Sequence, residues 1–357
     1  MSRNDTDRPP TLGDLAKAAG VSKGTASNVF NRPDIVRAEV RERVLEVARS
    51  INYAGPDPKG RLLGTGRVNA IGVATTEPLA YFFDDPFARI LMKGIAEACD
   101  AEGLGVSLIS ASDEADLAWN MHSALVDGFV LFCLTGAQKL IAQSRERRLP
   151  FVALDFGDAG DTLSAIGIDN VAAARRLARH LLDLGHRRFA VLAMDFDNEG
   201  VGRATMAQVE AAIYTTSRDR VIGTFRELEA AGIDTAGVPI FETTGEDATV
   251  GAALEEIFAR EPVPTALVAQ SDRIALLALD WLKARGLAVP GDVSLVGFDG
   301  VPEGETSDPP LTTMRQPIAE LGRRAVRAIV ERPTEIRRET LETELVVRGS
   351  TAPPPAS

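Results

Sequence analysis

From Val68 onward, short apolar runs alternate with longer amphipathic stretches, and that alternation restricts the chain to one class of architecture. The runs AIGVAT, GVSLIS, GFVLFCL, PFVALDF, FAVLAM, TALVAQ and VSLVGFD are too uniformly apolar for strands with one wet face. They read as parallel strands buried on both sides. Between them, PFARILMKGIAEACDAEG and NVAAARRLARHLLDLGH carry helical spacing, and Gly185 is placed to end the second. Strand–helix alternation of this length predicts two doubly wound parallel-sheet α/β subdomains. Ligands of such sheets sit beyond the C-terminal ends of the strands, in the crevice between subdomains.

The first fifty residues follow a different rule. In TLGDLAKAAG, Leu12, Leu15, Ala16 and Ala19 recur at helical spacing, Thr11 is a candidate N-cap, and Gly20 stands where a left-handed residue ends the helix. Ser22 can cap a second helix, KGTASNVFN, with Ala26, Val29 and Phe30 facing inward. Val40, Val44, Val47 and Ile51 mark a third. Helix, tight turn, helix and supporting helix is the helix-turn-helix plan, whose second helix must be short and polar on its outer face to enter a major groove. Here Lys23, Gly24, Thr25, Ser27 and Asn28 supply that face. Asn28 can pair with an adenine edge through two hydrogen bonds, Lys23 can reach a guanine or a phosphate, and the hydroxyls suit phosphate oxygens. A packing module is the competing reading of three short helices.

Net charge of −12 is at odds with DNA binding until its distribution is considered. Residues 1–67 hold 12 Lys and Arg against 8 Asp and Glu, whereas the remainder holds 27 against 43. Only a basic head on an acidic body would then touch nucleic acid.

The segment TLGDLAKAAGVSKGTASNVFNRP resembles the DNA-binding head of the lactose-repressor (LacI/GalR-type) family, matching T-x-x-D-[VL]-A-x-x-A-G-V-S-x-x-T-x-S-x-x-[LVF]-N at nearly every position. The resemblance continues through Ile51-Asn52-Tyr53 and extends over LGHRRFAVL, LVAQSDRIALLALDWLKARGLAVPGDVSLVGFDG and PPLTTMRQP to about residue 348. It implies a helix-turn-helix domain over 1–53, a hinge over 54–67, and a periplasmic-binding-protein-like effector and dimerisation domain over 68–348. Within the last, the N-subdomain would take about 68–167 and 315–332 and the C-subdomain about 168–314 and 333–348, leaving 349–357 as a disordered tail. The resemblance adds Thr11, Ser22, Asn31 and Tyr53 to the DNA-contacting set. It also implies a hinge helix that pushes Leu62 into the minor groove. Here the chain departs from the family, because Gly60 and Pro58 both disfavour such a helix.

Polar residues just beyond strand ends are the natural effector ligands. Asp155 closes PFVALD, Ser271 and Asp272 follow LVAQ, Asp299 closes VSLVGFD, and Arg220 precedes Gly223 by three residues in a helix-opening R-x-x-G. By resemblance, Asp155, Arg220, Ser271 and Asp299 fall on effector-binding positions. An Arg fork opposed by carboxylates suits sugar hydroxyls or a carboxylate. Asp272 also reads as a helix N-cap and Asp299 as a turn cap. In Tyr81-Phe82-Phe83, Tyr81 and Phe82 are candidates for a ligand wall, with subdomain packing as the alternative. The stretch DFDNEGVGRATMAQVEAAIYTTSRDR is longer than the family's usual link.

Catalytic and cofactor signatures are missing from the sequence. It carries no G-x-x-x-x-G-K-[ST] and no strand-linked G-x-G-x-x-G, and His122, His180 and His186 form neither a metal pair nor a triad. No enzyme activity, cofactor or metal is therefore expected. Cys99 and Cys133 have no redox or metal spacing and read as core thiols of a reducing compartment. The polar start MSRNDTDRPP lacks an apolar signal region and no run is long enough to span a bilayer, so a cytoplasmic protein is expected. The C-terminal VVRGSTAPPPAS lacks leucine heptads, which favours a homodimer over a tetramer. The expected function is ligand-controlled repression at a near-palindromic operator. A solute-binding transport protein is the alternative for the body alone.

Overall fold

The computed structural model describes residues 8–55, 67–111, 114–134, 149–155, 163–197, 200–332 and 335–355. The hinge expectations at Pro58, Gly60 and Leu62 lie outside these residues. The chain divides into two compact units, residues 1–68 and 69–357.

In the first unit, α1 (Leu12–Ala18) begins at a reciprocal cap. The Asp14 amide donates to the Thr11 hydroxyl at 3.4 Å, and the Thr11 amide donates to the Asp14 carboxylate at 2.8 Å. Gly20 at φ +63° then turns the chain in the left-handed region where a side chain is strained. Ser22 starts α2 (Lys23–Asn31) by accepting from the Thr25 amide at 3.0 Å, and α3 (Ala38–Ser50) supports both helices. Leu15, Ala16, Ala19, Ala26, Val29, Val44 and Ala48 close a common core. Tyr53 belongs to that core as well, 9% exposed and edge-on to Phe30 with ring centroids 5.7 Å apart.

The second unit opens with β1 (Ala70–Thr75), α4 (Tyr81–Asp84), α5 (Pro86–Glu102), β2 (Gly105–Ser110), α6 (Glu114–Ser123), β3 (Phe129–Leu131), β4 (Phe151–Leu154) and β5 (Ser164–Ile168). The chain then crosses to a second subdomain. This runs through α7 (Asn170–Asp183), β6 (Phe189–Ala193), β7 (Gly202–Ala204), α8 (Met206–Ala211), α9 (Thr215–Ala230) and β8 (Ile240–Glu242). It continues with α10 (Asp247–Phe258), β9 (Ala266–Ala269), α11 (Asp272–Ala284), β10 (Ser294–Asp299), α12 (Pro302–Thr306) and β11 (Thr312–Arg315). A second crossing returns it for α13 (Ile318–Glu331) and β12 (Arg338–Leu341), and a third delivers β13 (Glu344–Val346).

The first sheet has the order β12-β5-β4-β3-β1-β2 and is parallel throughout. The second has the order β13-β11-β10-β9-β6-β8-β7, antiparallel only at its two edges. Helices α5 and α13 cover one face of the first sheet through Leu91, Ile95, Leu321 and Ala325, while α6 covers the other through Leu117 and Met121. Helices α7 and α9 cover one face of the second sheet and α10 and α11 the other. Burial on both faces is why the central strands β1, β3, β4, β6, β9 and β10 are mostly apolar. All seven apolar runs contain strands. Of the strands outside these runs, β7, β12 and β13 lie at sheet edges and β8 and β11 are short or polar, while β5 is a buried interior strand.

Two boundaries differ from expectation. Residues 338–341 pair with β5 in the first sheet, so they belong to the N-subdomain rather than to the C-subdomain. The tail is also tied down instead of disordered at its start. Ser350 is fully buried, its hydroxyl donates to the Leu295 carbonyl at 2.6 Å and accepts from the Thr312 amide at 2.8 Å, and Ala352 bonds Ser294 through both its amide and its carbonyl. The Pro-rich composition concealed these backbone partners.

Helices α7 and α9 approach closely because residue 223 is glycine. A Cβ there would stand 2.4 Å from the Val171 carbonyl oxygen and 2.9 Å from the Ala174 Cβ. Glu227, one turn further on, fastens the pair through Arg175 at 2.9 Å and Arg179. We expect Gly223→Ala to cost about 1–3 kcal/mol by overpacking and to lower the thermal unfolding midpoint accordingly. An unchanged midpoint would mean that the two helices separate freely.

Candidate functional site

A cavity of about 830 Å³ lies between the two sheets, lined from both subdomains. It occupies the crevice beyond the strand ends that the topology predicts. Asp155 follows β4, Asp195 follows β6, Ser271 follows β9, and Asp299 ends β10.

Arg220 is the anchor. It lies in the second turn of α9, only 5% exposed. Its Nε donates to Asn170 Oδ1 at 2.9 Å, its Nη1 donates to the Gln270 carbonyl and stands 3.6 Å from Asp299 Oδ1, and its guanidinium lies 3.7 Å from the centroid of Phe298. Asn170 is the first residue of α7, so the close approach at Gly223 is what brings this partner within reach. Gln316, between β11 and α13, donates to Asp299 Oδ1 at 2.7 Å. Burial raises the Asp299 carboxyl well above its ordinary range and lowers the Arg220 guanidinium, and their mutual attraction opposes both shifts. Asp299 and Asp155 adopt φ of +123° and +143°, strained for residues with a side chain. Such strain persists where the surroundings over-determine it and concentrates at ligand sites.

Asp155 reaches across the cleft. Its Oδ2 accepts from Thr215 Oγ1 at 3.2 Å and from Thr216 Oγ1, both in the first turn of α9. The unusually long link recognised in the sequence therefore has an outcome: it holds β7 and α8 and then delivers these two hydroxyls. A second bridge joins Arg273 of α11 to Asp85, the N-cap of α5, at 3.5 Å.

The cavity has an aromatic side. Tyr81 and Phe87 stack on Phe132 with centroids 6.1 and 5.9 Å apart, and all three line the space. Phe82 does not; it is buried in the subdomain core. Neighbouring residues in the short α4 point about 100° apart, so only one of the candidate pair can face the ligand. The sequence offered no periodic signal for Phe87 or Phe132, nor for Gln316, Asn170, Thr215 and Thr216, which fold in from distant segments.

Ser271 lines the cavity, but its hydroxyl caps α11 by accepting from the Ile274 amide at 3.1 Å. Asp272 is not that cap. Its carboxylate accepts from the Gly300 and Val301 amides at 2.7 and 2.8 Å and from Thr313 Oγ1 at 2.6 Å, holding the turn that aims Asp299. Cys133 lines the cavity instead of lying in the core, and burial pushes its thiol up. The His186 ring joins Thr265, Ser294 and Ala352, a structural role. Among the described residues no group of three or more His, Cys, Asp or Glu is placed to hold a metal.

In the head, Ser22, Lys23 and Gly24 are exposed, and Thr25, Ser27 and Asn28 are half-buried along α2. Asn31 is exposed and donates to Ser27 Oγ at 3.1 Å. Thr11 and Ser22 spend a hydroxyl on capping, and Tyr53 serves the core rather than the polar face.

A three-helix head with a polar second helix, attached to a two-sheet body that closes on a cavity, defines a DNA-binding regulator controlled by a small molecule. Residues 11–55 match the family description "Bacterial regulatory proteins, lacI family" and residues 178–351 match "Periplasmic binding protein-like domain". An HTH-type transcriptional regulator of Mycobacterium tuberculosis, Rv3575c, is 38% identical over 98% of both chains. The lac repressor dimer, solved with operator and the anti-inducer ONPF, superposes with a TM-score of 0.79 at 25% identity over 97% of this chain and 100% of that one. A regulator named CelR, solved with cellobiose, gives 0.68 at 29% identity over 96% and 99%. The chain belongs to the LacI family of bacterial transcriptional regulators. It is a DNA-binding transcription regulator controlled by an effector.

Asp195 gives the cavity a pH dependence. Burial first, then Glu77, Asp197 and Glu246, push its carboxyl from 3.8 up to about 6. The stability linked to its proton is fully present below about pH 4 and is lost as pH rises through about 6. Asp195→Asn should therefore melt higher than the wild type at pH 7.5, with the gap shrinking between pH 6 and 4. A gap independent of pH would show that Asp195 is not strained by charge.

Proposed function

We propose that this protein is a cytoplasmic, homodimeric repressor whose effector is a sugar-like polyol bound between the subdomains. One observation carries the effector reading: the 830 Å³ cavity sets an aromatic side, Tyr81, Phe87 and Phe132, against carboxylate and hydroxyl groups from both subdomains. Sugars present apolar C–H faces to aromatic rings and hydroxyls to such acceptors. The cellobiose bound to CelR supports the same class. Ligand would act by favouring one of two arrangements of the subdomains, to the extent that it binds them unequally. Arg220, Asp155, Asp299, Ser271 and Tyr81 are the proposed contacts. Lys23, Gly24, Thr25, Ser27 and Asn28 form the proposed groove-reading face, with Thr11, Ser22 and Asn31 at its edges.

Two heads on two half-sites require a dimer. Among the described residues the edge strand β2 has no partner on one side, and beside it Trp119 of α6 and Leu125 are 68% and 61% exposed. We assign this face to the second copy. Sedimentation velocity should show Trp119→Glu as a monomer at concentrations where the wild type is a dimer; an intact dimer removes this face from the interface.

Two substitutions separate the two functions. Arg220→Ala should lower stability and abolish the effector response while keeping operator affinity. Asn28→Ala should keep effector binding and lose about 1–3 kcal/mol of discrimination at one base pair. Operator titrations with and without effector read both. A normal response from Arg220→Ala refutes the pocket assignment, and uniform weakening by Asn28→Ala on all sequences refutes base reading.

A further inference from the structure

The charge of the cavity wall says which polyols it can take, given the sugar-like effector proposed above. Among the described residues, seven carboxylates line the cavity and two guanidiniums do. Each guanidinium already has a protein carboxylate beside it. Arg220 is engaged by Asn170, the Gln270 carbonyl, Asp299 and the Phe298 ring, and Arg273 is held by Asp85. A phosphate or carboxylate entering the cavity would have to share a guanidinium with a protein carboxylate.

The other common anion receptor, a helix N-terminus, has protein carboxylates close to it as well. The first turn of α9 faces the cavity, and its Thr215 and Thr216 hydroxyls hold the Asp155 carboxylate. The N-terminus of α11 is capped by Ser271 and carries Asp272 in its first turn. The N-terminus of α10 begins at Glu246, with Asp247 in its first turn. Each positive helix end therefore already meets a negative side chain of the protein.

The remaining carboxylates face one another across the cleft. Glu77, Asp84 and Asp85 come from the first subdomain, Asp195 and Glu246 from the second, and all five line the cavity. Their crowding is visible in Glu77, which is raised by burial and by Asp85, and in Asp195, which is raised by burial and then by Glu77. A charged ligand oxygen would join this repulsion, whereas a hydroxyl would relieve it by donating its proton to a carboxylate oxygen.

We infer that the effector is an uncharged polyol and that the cavity rejects the same carbon skeleton once it carries a phosphate or a carboxylate. The regulator would thus read a free sugar or sugar alcohol before the kinase or oxidase step that makes it an anion.

The test uses the full-length protein and charge-matched probes. Glucose, galactose, ribose and cellobiose are compared with glucose 6-phosphate, galactose 6-phosphate, ribose 5-phosphate, glucuronate and galacturonate, with adenine and guanine as a separate arm. Thermal shift ranks them and calorimetry gives the constants. At least one neutral sugar should raise the melting temperature, and its anionic counterpart should bind about 100-fold more weakly or not at all. The combined variant Glu77→Gln, Asp195→Asn, Glu246→Gln should narrow that discrimination about tenfold or more. A phosphate or acid that binds as tightly as its parent overturns the inference, as does discrimination that the variant leaves unchanged. Binding of nucleobases alone, or of nothing in the panel, overturns the sugar-like reading itself and this inference with it.

Discussion

A buried guanidinium cannot be left unsatisfied, and the second subdomain is arranged around that requirement at Arg220. Its partners come from the start of α7, the end of β9 and the end of β10, three segments far apart in the chain. Removing a charge of this kind from water is costly unless charge pairing and hydrogen bonds replace the lost hydration. The helix that carries Arg220 must therefore lie close to α7, and Gly223 permits it. Asp299 must turn inward against its own backbone preference, and Asp272 holds the turn that makes it do so. One desolvated cation thus couples helix packing, turn geometry and the wall of the ligand cavity.

The cleft is bridged by groups that belong to neither sheet's core. Asp155 takes hydroxyls from α9, and Arg273 takes the N-cap of α5. Both contacts join the subdomains at the cavity. In the proposed reading a small molecule bound there would compete for the same atoms and so bias the relative positions of the two sheets, through the bridging contacts rather than the cores.

Much of the architecture was legible because its physical causes are local. A strand buried on both faces must be apolar at every position, and a helix at an interface must be apolar on one stripe. The seven apolar runs and the Gly20 and Gly185 stops follow directly. Of the strands outside those runs, β7, β12 and β13 lie at sheet edges, where solvent relaxes that demand. Among the cavity-lining residues, Asp155, Arg220, Ser271 and Asp299 are legible by their position after strands or by the family pattern. Phe82 was misplaced because sequence proximity cannot say which of two adjacent side chains on one helical turn faces inward.

Residue order alone is enough for the class of protein: a polar second helix behind a glycine turn, and an alternating α/β body with a crevice at its strand ends. These are consequences of residue spacing along one chain. Only the tertiary structure decided the chemistry of the cavity, because that depends on which distant side chains meet. Asn170 and Gln316 reach the Arg220–Asp299 pair, Phe87 and Phe132 build the aromatic side, and the carboxylates outnumber cations that are already engaged. Periodicity reports burial along a segment, but a binding site is made of contacts between segments, and the fold alone selects those.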